Sequence, residues 1–263
     1  MIHVISAKTC TEAWLSAAEL LFEQEGHETH SMVLDIERPL EMTASDRRVY
    51  EELDLFLREH DQLPVVTVAG TIFPGGIYLR HGARGVLEMY PQKIYPKIRE
   101  QWGNYASRML SRRKEDGTVM NPLEVLVGKL RKQIKSGHPL KGAYELNTVD
   151  LFTDLNIYDS TADATRTLSQ PCLSHLSFRI RNDNSLMLTV LYRSHYYVQK
   201  TLGNLIGLAQ LQYFVAAEAE LAVGPLICHS SYATLKSLRS EWSKTELATL
   251  LKKCRKAAHA VAA

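Results

Sequence analysis

The stretch QPCLSHLSFRI, residues 170–180, sets a cysteine behind a proline, at the mouth of a segment that alternates like a strand. A thiolate is a potent nucleophile, and a neighbouring cation lowers the thiol pKa and favours it. Pro171 fixes the backbone before Cys172, and His175 lies three residues on. The pair Arg193–Ser194 closes the segment that follows. A guanidinium beside a hydroxyl can clamp an oxyanion such as phosphate through charge-assisted hydrogen bonds. Ten residues past Ser194, Asn204 opens a largely apolar stretch. A carboxamide both donates and accepts, so it can pair with a ring N–H and a carbonyl together. Each residue also has a structural reading. Cys172 fits as small core filling, Arg193 as one half of a surface ion pair, and Asn204 as a helix cap.

The other reactive residue types carry less. Ten histidines occur without an HExxH pattern or closely paired ligands, and the cysteines at 10, 172, 228 and 254 form no CxxC. No metal centre is expected, although Cys228 and His229 are adjacent. FPGG at 73–76 lacks the glycine arrangement of a P-loop. The basic runs RKQIK, 131–135, and KKCRK, 252–256, read as solvated helix faces. A formal net charge of +2 over 263 residues demands no nucleic-acid partner.

The scaffold must bring these distant residues together. HLSFRIR, 175–181, alternates as a half-buried strand does, Asn182–Asp183–Asn184 signals a turn, and SLMLTVLYRS, 185–194, returns. A long apolar helix over 202–223 and a short strand at PLICHS follow. Earlier, residues 2–5 and MVLDI, 32–36, read as strands. The periodicity of 11–25 predicts a helix stopped by Gly26. Ser45 is expected to cap a helix reaching about His60. PVVTVAG, 64–70, has the β-branched content of a strand. Residues 80–118 read as a polar, turn-rich surface bearing Tyr90, Tyr95, Trp102 and Tyr105. Asn121, Pro122 and Glu124 start a helix that runs to about Lys135. Residues 142–158 read as a strand pair or a strand and loop. Ser243 with Glu246 forms a capping box for a last helix. Hydrophobic residues at 45% and charged ones at 23% suit a globular chain. We read one α+β domain over residues 1–263.

Asn204, Gln210, Gln212, Glu218 and Glu220 make the 202–223 segment a poor membrane span. With no basic leader and no paired cysteines, a reducing cytoplasmic setting is expected.

The segment 171–232 resembles the catalytic half of the thymidylate synthase family. That family looks like Pro–Cys–His, a hairpin, Gln–Arg–Ser, and an Asn ten residues beyond the Ser. Here Pro171–Cys172, the hairpin, Arg193–Ser194 and Asn204 keep that spacing, and an apolar helix leads to Val223–Gly224. Gly137–His138–Pro139 follows a helix at the place where the family has a similar segment. The resemblance implies a three-layer α/β fold with a large mixed sheet flanked by helices, working as a homodimer. It implies that Cys172 adds to C6 of a pyrimidine nucleotide, and that C5 then attacks a one-carbon unit carried by a reduced folate, 5,10-methylenetetrahydrofolate. Arg193 and Ser194 would hold the phosphate. Asn204 would read a uracil-type base, where Asp would select cytosine. Glu88 and His175 would stand in for the family's Glu and His.

The departures are as specific as the matches. Leu173 stands in place of the family's His, Tyr192 in place of Gln, and Tyr196 in place of the Asp that helps hold folate. Lys141–Gly142 stands where an Arg pair crosses the dimer to the phosphate. Thr234 and Lys236 stand where a His and a Tyr bind the sugar. The pattern implies a divergent member that methylates or hydroxymethylates C5, or a nucleotide-binding or scaffold protein without catalysis. On either account, Cys172, Arg193 and Asn204 should line one cleft.

Overall fold

The computed structural model describes residues 2–98, 105–113, 116–148, 171–237 and 242–260. In chain order the first elements are β1 (His3–Ala7), α1 (Cys10–Glu23), β2 (Glu28–Ile36), α2 (Ala44–Glu59), α3 (Val65–Ile72) and α4 (Gly75–Arg84). A π-helical segment (Gly85–Ile94) leads to α5 (Tyr95–Ile98), α6 (Tyr105–Leu110), the short strands β3 (Arg112–Arg113) and β4 (Val119–Met120), α7 (Pro122–Lys135) and β5 (Tyr144–Asn147). Then come β6 (Leu173–Ile180), β7 (Ser185–Tyr192), β8 (His195–Tyr196), a π turn (Tyr197–Thr201), α8 (Leu202–Glu218), β9 (Ala222–Thr234) and α9 (Lys244–His259).

The main sheet runs β1-β2-β9-β7-β6-β5, with β8 joining the far end of β9. It is mixed: β1/β2 and β7/β9 are parallel, whereas β2/β9, β6/β7 and β5/β6 are antiparallel. Along each central strand, buried and part-exposed positions alternate. The buried set is in register across the sheet. Leu34 pairs with Cys228, Cys228 with Val190, and Val190 with Leu176. The helices therefore cover one face, and residues from α1, α8, α2, α7 and α9 join these strand residues in one core cluster. On the other face Val33, His229, Leu191 and His175 lie in register, with no helix over them among the described residues.

Several sequence expectations hold. α1 ends before Gly26, which adopts φ 66°. Asn121 caps α7 by accepting the Glu124 N–H, and the Ser243–Glu246 capping box starts α9. Asn184 turns the β6–β7 hairpin with φ 58°. Others need correction. Thr43, not Ser45, caps α2 through a reciprocal box with Asp46, and the Ser45 hydroxyl donates to the Ala258 carbonyl instead. The helix expected over 202–223 ends at Glu218. Glu220, at φ 59°, turns the chain, and β9 begins at Ala222. The strand expected at 142–158 is β5, and positions 149–158 lie outside the described residues.

The largest correction is at 64–70, which is helical, not a strand. The carboxylate of Asp54 accepts the Val65 N–H at 2.8 Å and so fixes the helix start. The helix then lies against α8 at two glycines. A Cβ on Gly203 would stand 2.8 Å from the Val65 carbonyl oxygen, and one on Gly207 2.6 Å from that of Ala69. Contact that close lets tertiary packing override the β propensity of the valines. The described residues of 80–113 are also largely helical, with Tyr90 and Tyr105 buried rather than displayed. Trp102 lies outside the described residues.

Candidate active site

Cys172 sits one residue before β6, where β6 and β7 reach the same end of the sheet. Leu173 is in register with Tyr192, so the backbone of Arg193 meets that of Cys172: the Arg193 N–H donates to the Cys172 carbonyl at 2.9 Å. The guanidinium of Arg193 donates from Nε to the Pro171 carbonyl at 3.1 Å. The Tyr105 hydroxyl, brought in by α6, accepts the N–H groups of Cys172 and Leu173 at 3.0 and 3.3 Å. Two distant segments thus hold the backbone around one cysteine.

Burial pushes the Cys172 thiol above its ordinary pKa, while the charges of Arg193 and Lys200 pull it back down. Desolvation is the larger effect, so the neutral thiol is favoured over the thiolate. The other three cysteines are buried, and burial pushes Cys228 and Cys254 up to about 12. Cys172 alone is part-exposed.

Beyond Cys172 the site continues as a packed string of rings. Tyr192 stacks on His195 with centroids 4.0 Å apart and planes 4° from parallel. Tyr197 meets His195 edge-on. Asn204 Nδ2 lies 3.0 Å from His195 Nε2, and Ser230 Oγ 3.0 Å from Nδ1. An amide nitrogen only donates, so Nε2 accepts, and Nδ1 carries the proton and donates to Ser230. Burial lowers the His195 pKa to about 3, and the ring stays neutral. Asn204 is 5% exposed and does not cap α8, because it lies inside the helix.

The structure gathers some of the sequence-derived candidates and separates others. Cys172 and Arg193 are in direct contact. Ser194 follows in the connection to β8, half-buried. Asn204 reaches this end of the sheet through His195. His175 faces the uncovered side of the sheet, where Asn147 and Glu145 hold its two ring nitrogens at 2.7 and 2.8 Å. Glu88 is exposed on the π-helical segment and pairs with Arg84 at 3.0 Å. Lys141 binds the side chain of Asn182 in the β6–β7 turn. That is a full strand from Cys172, about 26 Å at 3.3 Å per residue.

Tyr105, His195, Lys200 and Ser230 belong to the site but carry no signal as such in the sequence. His195 and Lys200, between Arg193–Ser194 and Asn204, and Ser230, near the end of 171–232, lay within the segment that drew attention; Tyr105 lay outside it. Among the described residues no group of three or more metal-ligating side chains is assembled, and no helix is long and apolar enough to cross a membrane. No protein-family model and no curated protein matches the chain. What the structure establishes is a mixed α+β fold, a multi-stranded sheet flanked by helices, with a cysteine and an arginine joined at one end of it.

Proposed function

We propose that this chain activates C5 of a uracil-type pyrimidine nucleotide for one-carbon transfer, either methylation or hydroxymethylation, through a Cys172 thiolate adduct at C6. The observation that carries this reading is the junction of Cys172 with Arg193. One half-buried thiol is held by backbone bonds beside a guanidinium at the end of a sheet, with a second cation, Lys200, acting on the sulfur. A pyrimidine ring is a poor nucleophile at C5 until sulfur adds at C6, and addition needs the thiolate. Arg193 and Ser194 bind the phosphate in this scheme. Asn204 reads the base in this scheme, either keeping its Nδ2 bond to His195 or exchanging it for one to the ring.

A reduced folate, 5,10-methylenetetrahydrofolate, is the one-carbon donor the resemblance implies, and the described residues fit it poorly. Tyr196 takes the place of the carboxylate that the resemblance leads one to expect. We therefore route no step through folate. The partner we propose is a second copy of the chain on the uncovered sheet face. Val4 is 63% exposed there, and His229 Nε2 is buried with no hydrogen-bond partner. Lys141, a strand length from Cys172, can serve a phosphate site only from another copy.

A second reading, a nucleotide-binding or scaffold protein without catalysis, draws on the Asn204–His195 bond and the raised thiol pKa. Release of tritium from C5-labelled dUMP, UMP, dCMP and CMP separates the two, measured with and without methylenetetrahydrofolate and followed by product mass. Release that Cys172→Ser abolishes supports activation of C5. Nucleotide binding without release from any of the four supports the scaffold.

A further inference from the structure

Four buried side-chain polar atoms lack a hydrogen-bond partner among the described residues: Tyr144 Oη, Tyr192 Oη, Gln212 Oε1 and His229 Nε2. Tyr192 alone of these belongs to the surroundings of Cys172. It is 1% exposed, and it is in register with Leu173, the residue next to the nucleophile. Burial pushes its hydroxyl far above the ordinary value, and Tyr105, Cys228 and Cys172 add to that, so the hydroxyl lies among a second phenol, a core thiol and the Cys172 thiol. Phenylalanine would keep the stack on His195 and spare the cost of burying an O–H without a partner. The hydroxyl therefore has no role in the free protein, and its donor is kept for something that arrives beside the sulfur.

The neighbouring groups say what arrives. Tyr105 already accepts two N–H bonds, and no described residue accepts its own proton. Arg193 and Lys200 are cations that act on the thiol. Among the described residues, no carboxylate acts on Cys172. Such surroundings offer protons and positive charge, which is what an oxygen gaining negative charge requires.

We infer that the Tyr192 hydroxyl is the oxyanion donor of the Cys172 site, binding the carbonyl oxygen that becomes an enolate when the thiolate adds to a conjugated ring. This deepens the proposed function and rests on it for the identity of the ring. The thiol proton is lost to solvent, and the sulfur lone pair forms the S–C6 bond. The C5=C6 pair becomes a C4=C5 bond, and the C4=O pair moves onto oxygen, where Tyr192 donates. Expulsion of the thiolate reverses each shift. Tyr192 thus adds an oxyanion donor beside the base-reading carboxamide of Asn204.

The test is Tyr192→Phe, read in two independent ways. In C5 tritium exchange, kcat should fall about 10²-fold with KM near the wild-type value, because the bond strengthens only as charge develops. Its Tm should equal or exceed the wild-type value, which excludes misfolding as the cause. The second readout needs no nucleotide. Acrylamide reacts with Cys172 by conjugate addition, generating an oxyanion; iodoacetamide reacts by displacement and generates none. Mapped by peptide mass on the folded protein, the acrylamide rate should fall about tenfold in Tyr192→Phe while the iodoacetamide rate holds. Equal slowing of both reagents, or of neither, overturns the proposal. If wild type exchanges C5 tritium and Tyr192→Phe matches it, the donor role fails and the nucleotide reading stands. If no nucleotide exchanges but acrylamide is selectively slowed, the nucleotide reading fails and the donor role stands.

Discussion

The two ends of the β6–β7 hairpin are built from opposite kinds of bonding. At the turn, most bonds run between neighbours, with Lys141 and Ala222 added from farther along the chain. Asp183 accepts the N–H and the hydroxyl of Ser185, Arg181 pairs with Asp183 at 3.4 Å, and Asn184 donates back to Arg181. At the open end, Cys172 and Leu173 are met by Tyr105, 67 and 68 residues away, His195 by Ser230, 35 residues away, and one hydroxyl is left without a partner. A turn whose polar groups are met within the chain needs nothing further. An end assembled from distant segments, with a donor to spare, is organised around something absent from the chain. The contrast also separates stability from chemistry, since substitutions at the turn and at the open end should be read by different measurements.

The sharpest break between the two ends is Cys172→Ser. It should abolish C5 tritium release altogether, with a melting temperature close to wild type, because a hydroxyl fits where a half-buried thiol stood. Residual release at the wild-type rate would place the nucleophile elsewhere. Next in size is a pair of arginines. Arg193→Ala should raise the KM for a nucleotide about tenfold or more, the scale of a lost charge-assisted bond. Arg181→Ala, at the turn, should leave KM unchanged and shift stability by less than about 0.5 kcal/mol. Equal effects of the two on KM would erase the distinction.

Acid separates the ends a third way. His195 is neutral in the fold down to about pH 3, whereas an unfolded chain protonates it near 6.5. Between those values the unfolded state holds the extra proton, so stability is full above pH 6.5 and declines as pH falls, by about 1.4 kcal/mol per unit for one group. Denaturant titrations across this window should show that slope in wild type and a shallower one in His195→Gln, whatever the variant's overall stability. The smallest effect belongs to Asp183. Its hydrogen bonds with Ser185 lower its pKa from 3.8, so its contribution is present above that value and fades as pH falls through the lower, folded one. Asp183→Asn should therefore lose a small increment of melting temperature at pH 6 that disappears in strong acid, with activity untouched.

Much of the hairpin was legible because its signals are local. Period-2 alternation, three turn-forming residues and a return strand can be read along the chain. The same holds for Asn121 at α7 and Ser243 with Glu246 at α9. The segment 64–70 was not legible. Its valines favour a strand, and what makes it helical lies 138 residues on, where Gly203 admits the Val65 carbonyl. The spacing of Cys172, Arg193 and Asn204 pointed to one end of the molecule, and the first two do meet. The carboxamide's engagement with His195 could not be read, because both residues had to be folded against β9 before they faced each other. Tyr105 was invisible for the same reason: an aromatic in a polar stretch gives no sign that its oxygen will hold the backbone of a distant cysteine.

The strand order carries a consequence for synthesis. β2 is complete at Ile36, yet its second neighbour is β9, whose Thr234 pairs with Glu28. A ribosome moving at about 5–20 residues per second needs roughly 10–40 s to supply that partner. Throughout that interval β1 and β2 wait beside a growing chain with one ladder of backbone groups unpaired. The sheet closes only when its middle strand, made long after β2, slides between the two halves. Pairings this far apart in sequence slow folding, and a nascent chain halted before residue 222 should hold its first strands in a state that a protease can tell from the finished sheet.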